Sequence, residues 1–439
     1  MDFIIKIIEK RMMPIANKLA SNNELNAIRH AMMSMASFFM VGSLFLLLAY
    51  IPVKGYDEFL NKTFGNGVFQ SLMTSVSGAT LSLMGLIVLI AVAYNYAVIK
   101  QTDVPYPIVS SLMVFLILTP KNSNGIPTEW LGAKGMFIAI IISLVTTNLY
   151  IKLKKLGVAP KMPDNVPPAV LKTFASVFPI TVIALISIII KASFLTTTYE
   201  HIHNFVFSIV QTPLLKLGNN IFSLIISEII GQLLWFFGLQ GNDIIGSVMS
   251  PIWMIQTTAN LEAFTAGLPL PNIITGIFRN VYMLIGGSGN TLPLTLSMVL
   301  FCKSKQLKTL GLLALPASIF NINEPIIFGL PIVLNAIMFI PWVLATPIAA
   351  IIGYSLMKIG LVSATNGILI PWTTPVFLSG YLVSGVSGII LQGIILITCF
   401  LVYFPFLRAM DLQILKKEAE KLKQKDEELD QIDLSDVTF

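Results

Sequence analysis

The segment NINEPIIFGLP, residues 321–331, carries a single acid, Glu324, between long apolar runs. An ionised carboxylate at the bilayer centre costs ~2.5–3.5 kcal/mol. An acid there usually faces a pathway, a partner or a substrate. Asn321, Asn323, Pro325 and Gly329 break the backbone around it, so freed peptide groups and the carboxylate can point into one cavity. Asn323 and Glu324 are therefore substrate-binding candidates. Glu324 is also the catalytic candidate, because a carboxylate beside a hydroxyl can orient it and accept its proton. The competing expectation is a structural acid paired with a buried arginine.

A second constellation is LLWFFGLQGNDIIG, residues 233–246. Trp235, Phe236 and Phe237 supply flat apolar surface, Gly238 and Gly241 free the backbone, and Gln240, Asn242 and Asp243 offer donors and acceptors. Aromatic faces with amides and acids suit a sugar, which has apolar ring faces and hydroxyl edges; an interfacial aromatic belt is the simpler alternative. Arg279, after ITGIF, can pair with Glu324, attract a phosphate, or anchor a span at the inner surface. GGSGNTLP, residues 286–293, puts Ser288 and Asn290 on a broken, cavity-lining stretch. LIPWTTP holds Trp372 between Pro371 and Pro375 as a stiff stacking platform or an interfacial anchor. His201 and His203 have H-x-H spacing without a further ligand, so no metal site is expected. With neither a Walker loop nor a dinucleotide motif, no cofactor is expected.

These groups need a framework, and composition says which kind. The 439 residues are 55% hydrophobic and only 11% charged, with a mean hydropathy of +0.82. Soluble domains carry about 25% charged residues. Apolar runs of about 20 residues recur, each long enough to cross a bilayer as a helix, without the alternation of a porin strand. The fold class is an all-α polytopic membrane protein. The net charge of +6 does not indicate nucleic acid, since the basic residues gather beside the spans. Clusters at Lys6–Arg29, Lys152–Lys172 and Lys303–Lys308 are expected to be cytoplasmic. Lys6, Glu9, Lys10 and Arg11 exclude a signal peptide at the start. Cys302 and Cys399 are too few for a disulfide framework.

Residues 1–20 read as an amphipathic surface helix. Ser21 and Glu24 have capping-box spacing for the next helix. Spans follow at 31–53, 71–98, 104–120, 133–151 and 172–194, with a proline-rich cytoplasmic linker before the last. Residues 201–217 read as a second interfacial helix. Clear spans at 221–239, 281–301, 332–357 and 383–408 alternate with broken apolar segments at 240–275, 309–331 and 360–380. Broken segments of this kind mark re-entrant hairpins and binding sites in transporters. About ten spans are expected, with both termini inside. From Asp411 the chain reads as a charged helix, with Leu415, Leu422 and Leu429 at heptad spacing.

MPDNVPPAV after a lysine-rich loop, WFFGLQGND and NINEPIIFGLP together resemble enzyme IIC (EIIC), the membrane subunit of the bacterial phosphoenolpyruvate-dependent sugar phosphotransferase system. The similarity covers nearly all of residues 1–410 and lies in the lactose, cellobiose and diacetylchitobiose branch. The resemblance implies a homodimer in the bacterial cytoplasmic membrane, ten spans per subunit, and two re-entrant hairpins in the second half. It implies a dimer scaffold at 1–200, a sugar-binding half at 201–410 and a charged cytoplasmic tail at 411–439. A disaccharide would take a phosphoryl group on its primary hydroxyl from a separate enzyme IIB (EIIB) chain phosphorylated on cysteine. The glutamate of the NEP motif, Glu324 here, would bind that hydroxyl. The family's GxHG histidine position is occupied by Gln240. The rival functions are a proton-coupled sugar symporter titrating Glu324 or Glu228, against which the breaks concentrate in one half, and a non-transporting membrane sugar receptor.

Overall fold

The computed structural model describes residues 14, 17–50, 55–122, 125–158, 167–330, 332–333 and 335–430, and the regular elements among them are all helical. The first half contains α1 (Asn23–Ala49), α2 (Tyr56–Phe64), α3 (Val68–Thr80), α4 (Met84–Ile99), α5 (Pro105–Leu118), α6 (Met136–Lys154) and α7 (Pro168–Leu195). The second contains α8 (Ile202–Gly218), α9 (Ile221–Phe236), α10 (Gly241–Thr265), α11 (Thr291–Phe301), α12 (Lys305–Ile319), α13 (Glu324–Gly329), α14 (Phe339–Lys358) and α15 (Leu378–Asp430). Among the described residues, 6 helical stretches are long and apolar enough to cross a membrane; α8 and α9 form a further candidate bent by 77°. The chain is thus a multi-pass helical membrane protein.

The cap of α1 differs from expectation. Asn22 Oδ1, not Ser21, accepts the Leu25 N–H at 2.8 Å. Glu24 instead accepts from the Tyr96 hydroxyl of α4 at 2.6 Å, so a tertiary partner outcompetes the local box. The expected surface helix at 1–20 and the proline-rich linker lie almost wholly outside the described residues.

The second half departs further. Residues 240–275 read as an apolar segment broken by Pro, Gly and Asn, yet α10 runs unbroken over 25 of them despite Pro251. Packing against α9 and α1 holds it, and membrane helices tolerate an internal proline when neighbours re-satisfy the backbone. Conversely, the expected span at 281–301 is interrupted. A π-helical turn at Arg279–Met283 leads into a loop in which Gly286, Gly287 and Gly289 all have positive φ, and only then does α11 begin. The last span continues without a boundary into the charged tail, bending once at Gly385. Buried Asp411 pins it there: its carboxylate accepts the Lys303 and Ser304 N–H groups at 3.0 and 2.9 Å. Of the heptad leucines in the tail, the side chains of Leu422 and Leu429 lie outside the described residues.

One buried core joins α1, α4 and the second-half helices, and a smaller one is confined to α4–α8. Large apolar side chains remain exposed along α1 and α7, among them Met33, Leu185, Ile188 and Ile189, as a lipid-facing or partner-facing surface requires. Asp103, in the loop between α4 and α5, pairs with Lys154 at the end of α6 and with Lys172 of α7 at 3.1 Å. The Lys154 contact, then Lys172, holds its carboxyl below the usual carboxylate range. A depressed folded pKa stabilises above the unfolded value and is lost as pH falls through the folded one. Thermal unfolding in detergent should therefore show a stability loss below about pH 4 that is smaller in Asp103→Asn. An identical acid limb in that variant would contradict the clamp.

Candidate functional site

The α9–α10 hairpin carries the first motif. Gly238, at φ 81°, closes α9 by donating to the Trp235 carbonyl at 2.9 Å. The two helices then meet so closely that a Cβ on Gly241 would lie 1.9 Å from the Gly231 carbonyl oxygen. Only glycine allows this approach. Gln240, at the N-cap of α10, is exposed and makes no side-chain cap bond. Asn242, the second residue of α10, turns its side chain to Arg279 and Ser288.

The second motif lies between α12 and α13. Asn321 turns the chain with φ 63°. Its Oδ1 accepts the Gly286 N–H at 2.8 Å, and its Nδ2 donates to the Trp372 carbonyl at 2.7 Å. One asparagine therefore ties the glycine loop and the tryptophan platform to the NEP segment. Glu324 opens α13, exposed and without a side-chain partner among the described residues.

A buried polar relay joins the two motifs. Glu228 of α9, 1% exposed, accepts from Arg279 Nε at 2.5 Å. Arg279 Nη2 donates to Asn242 Oδ1 at 3.1 Å. Asn242 Nδ2 donates to the Ser288 hydroxyl. The Ser288 carbonyl accepts from Asn323 Nδ2 at 2.7 Å. Glu324 follows directly in sequence. A Cβ on Gly287 would come within 2.5 Å of the Asn323 side chain, so a glycine is required where the loop meets the NEP segment. Gln240, two residues before Asn242, and Glu324, next to Asn323, are thus two exposed polar groups carried beside one internally satisfied network.

Several candidates take roles the sequence left open. Arg279 is neither paired with Glu324 nor an inner-surface anchor: it is 7% exposed, bound to Glu228 and stacked 5.0 Å over Trp253. The structural acid paired with a buried arginine is therefore Glu228. Asn290 is fully buried, and its side chain does not line a cavity: it accepts the Ile285 N–H and donates to the Met283 carbonyl, both at 3.0 Å. The glycine loop needs that bracket to hold its shape. Trp372 is 57% exposed and lines a narrow cleft with Asn280, Asn321 and Gln392. His201 caps Asn204, His203 meets the Thr119 hydroxyl, and no group of metal-ligating residues occurs among the described residues.

The geometry matches a known family along nearly the whole chain. Residues 29–346 match the family model described as phosphotransferase system, EIIC. The chain belongs to the phosphotransferase system EIIC family. It is the membrane, sugar-transporting component of a phosphoenolpyruvate-dependent sugar phosphotransferase system. It is 38% identical to the cellobiose-specific EIIC component of Geobacillus stearothermophilus, covering 94% of this chain and 95% of that one. It is 40% identical to the lichenan permease IIC component of Bacillus subtilis (strain 168), over 95% and 96%. Its fold superposes with a TM-score of 0.91, at 36% identity, on the crystal structure of the transporter ChbC, the IIC component of an N,N'-diacetylchitobiose-specific phosphotransferase system, covering 94% of this chain and 99% of that one.

In this EIIC chain, Glu228 reads from sequence only as a titrating acid, and Trp253 does not stand out from its apolar neighbours. A signal for the first was present. Glu228 is the one acid of α9 and Arg279 the one base between Lys216 and Lys303, and lone opposite charges in apolar segments tend to find each other.

Proposed function

We propose that this EIIC chain translocates a disaccharide of the cellobiose, diacetylchitobiose or lactose type and presents its primary hydroxyl to phosphorylated EIIB. The observation that carries this reading is the relay from Glu228 to Asn323, which holds Gln240 and Glu324 on rigid backbone without using either. Glu324 orients the hydroxyl and accepts its proton. Gln240, Asn242 and Asn323 bind sugar hydroxyls, and Trp372 stacks on a ring face. Arg279, neutralised by Glu228, positions Asn242. Asn290 keeps the glycine loop in shape. Phosphoryl transfer is largely positioning and charge stabilisation, so a pre-set acceptor suffices on the EIIC side. The phosphorylated sugar then carries close to two negative charges and is retained inside.

The chain is read as ten spans with two re-entrant hairpins, a dimer scaffold at 1–200, a sugar-binding half at 201–410 and a cytoplasmic tail. The exposed apolar faces of α1 and α7 support a homodimer contact. The three basic clusters support cytoplasmic termini in the bacterial plasma membrane. For the symporter reading, Glu228 is unsuitable because Arg279 already neutralises it.

Uptake into reconstituted vesicles is expected to require phosphoenolpyruvate and phosphorylated EIIB and to deliver sugar phosphate. Accumulation of free sugar on a proton gradient alone would sink the reading. Gln240 holds sugar without shuttling a proton, since an amide does not titrate near neutral pH. Gln240→Ala should weaken binding roughly 3- to 10-fold, the worth of one or two hydrogen bonds. Unchanged affinity by calorimetry in detergent would remove Gln240 from the site.

A further inference from the structure

A second polar cavity lies far from the relay. It has a volume of about 510 Å³ and is lined by the Thr128–Lys134 segment before α6, the π turn and following helix of α8, and the last turns of α10. That volume is at the scale of small-molecule sites, about 300–1,000 Å³. Gln240 opens α10 and Glu262 stands near its other end, 22 residues on. At 1.5 Å per residue the cavity is roughly 30 Å from the hairpin tip. Lys152 and Lys154 likewise close the far end of α6. The cavity therefore sits at the membrane face opposite the basic clusters.

Its wall is built for a ligand. Gln211 is 1% exposed, and its Nε2 donor has no hydrogen-bond partner among the described residues. A buried unpaired amide is rare and calls for an explanation. It sits in the π-helical turn Phe207–Gln211, a distortion common at functional sites. Glu262, an exposed residue, lines the cavity with a carboxylate that has no side-chain partner among the described residues. On the facing wall Lys134 pairs with Glu129 at 3.0 Å and lies over the rings of Trp130 and Phe207 at 4.2 and 5.6 Å. The site thus offers an amide donor, a free carboxylate acceptor and an aromatic face, with its one cation already neutralised. An anionic lipid headgroup would meet Glu262 and find no free cation. A neutral polyhydroxylated ring meets polar groups for its hydroxyls and apolar surface for its ring faces.

We propose that this cavity is an entry site that captures the unphosphorylated sugar on the side opposite EIIB, before the hairpins receive it. The proposal rests on the phosphotransferase reading and orientation given above, and names a second station for the same substrate.

The test uses membrane vesicles of both orientations carrying Gln211→Leu or Glu262→Gln, with cellobiose as probe. Right-side-out vesicles are loaded with phosphoenolpyruvate and the soluble phosphotransferase proteins; inside-out vesicles receive sugar and phosphorylated EIIB from the same side. The KM for external cellobiose should rise about tenfold with kcat unchanged, while phosphorylation in inside-out vesicles keeps the wild-type KM. As an independent readout, Thr128→Cys in a Glu324→Gln background should react more slowly with an impermeant maleimide when cellobiose is added outside. An unchanged external KM together with unprotected Thr128→Cys overturns the site. So does an equal KM rise in both orientations, which marks a global distortion. Loss of a co-purifying phospholipid from either variant with an unchanged KM assigns the cavity to lipid. Uptake that needs no phosphoenolpyruvate would instead sink the phosphotransferase reading, a separate outcome from any of these.

Discussion

Glu324→Gln membranes are expected to form sugar phosphate from phosphorylated EIIB roughly 10²- to 10⁴-fold more slowly than wild type, the usual worth of a positioned general base. The substitution keeps the side-chain shape and removes both the charge and the proton acceptor. Nothing in the relay depends on Glu324: the polar chain ends at Asn323 Nδ2 on the Ser288 carbonyl, and Glu324 itself is exposed. Folding and oligomeric state should therefore be unchanged by size exclusion. Sugar should also bind more weakly, because a charged acceptor is replaced by a neutral amide, and hydrogen bonds to charged groups are the stronger kind. Wild-type phosphorylation in this variant would show that the acid is not part of the chemistry. Lost activity with aggregation would show that it is structural.

The largest stability effect is expected at the other acid. Arg279→Met leaves the Glu228 carboxylate, 1% exposed, without its counter-ion. Breaking a buried pair from one side costs ~3–5 kcal/mol, whereas replacing both partners by well-packed neutral groups is often close to neutral. Thermal unfolding of detergent-solubilised protein should therefore drop strongly in Arg279→Met and recover in large part in Glu228→Leu/Arg279→Met. The recovered double variant should still bind sugar poorly, because Asn242 has lost the Arg279 Nη2 bond that orients it. Equal stability of all three proteins would mean that the pair carries no buried charge. Full recovery of sugar affinity in the double variant would remove Arg279 from the positioning of Asn242.

The departures from the sequence reading have a common origin. Periodicity and hydropathy report how much apolar surface a segment offers, so they place α5, α6, α7 and α9 within a few residues. They do not report what stands on the far side of a proline or a glycine. Pro251 looks like a break, but α9 and α1 pack around it and α10 continues. Residues 281–301 look like a span. Three glycines at positive φ, braced by Asn290 and Asn321, make their first half a loop. In each case a partner distant in sequence decides which of two locally allowed conformations is kept.

Some of this protein is determined by its sequence alone. The scarcity of charge and the repeated long apolar runs permit only a polytopic helical membrane protein, because unpaired backbone cannot face lipid. The lone acid in NINEPIIFGLP and the amides of GLQGND single out the two segments that the polar relay joins, because polar groups at that depth are costly. What the tertiary structure alone decides is the pairing. Arg279 had Glu324 and Glu228 as chemically equal partners, and a charge pair depends on distance in space rather than along the chain. Folding brings Glu228 to 2.5 Å from Arg279, which neutralises the base within the relay and leaves Glu324 exposed and without a side-chain partner among the described residues.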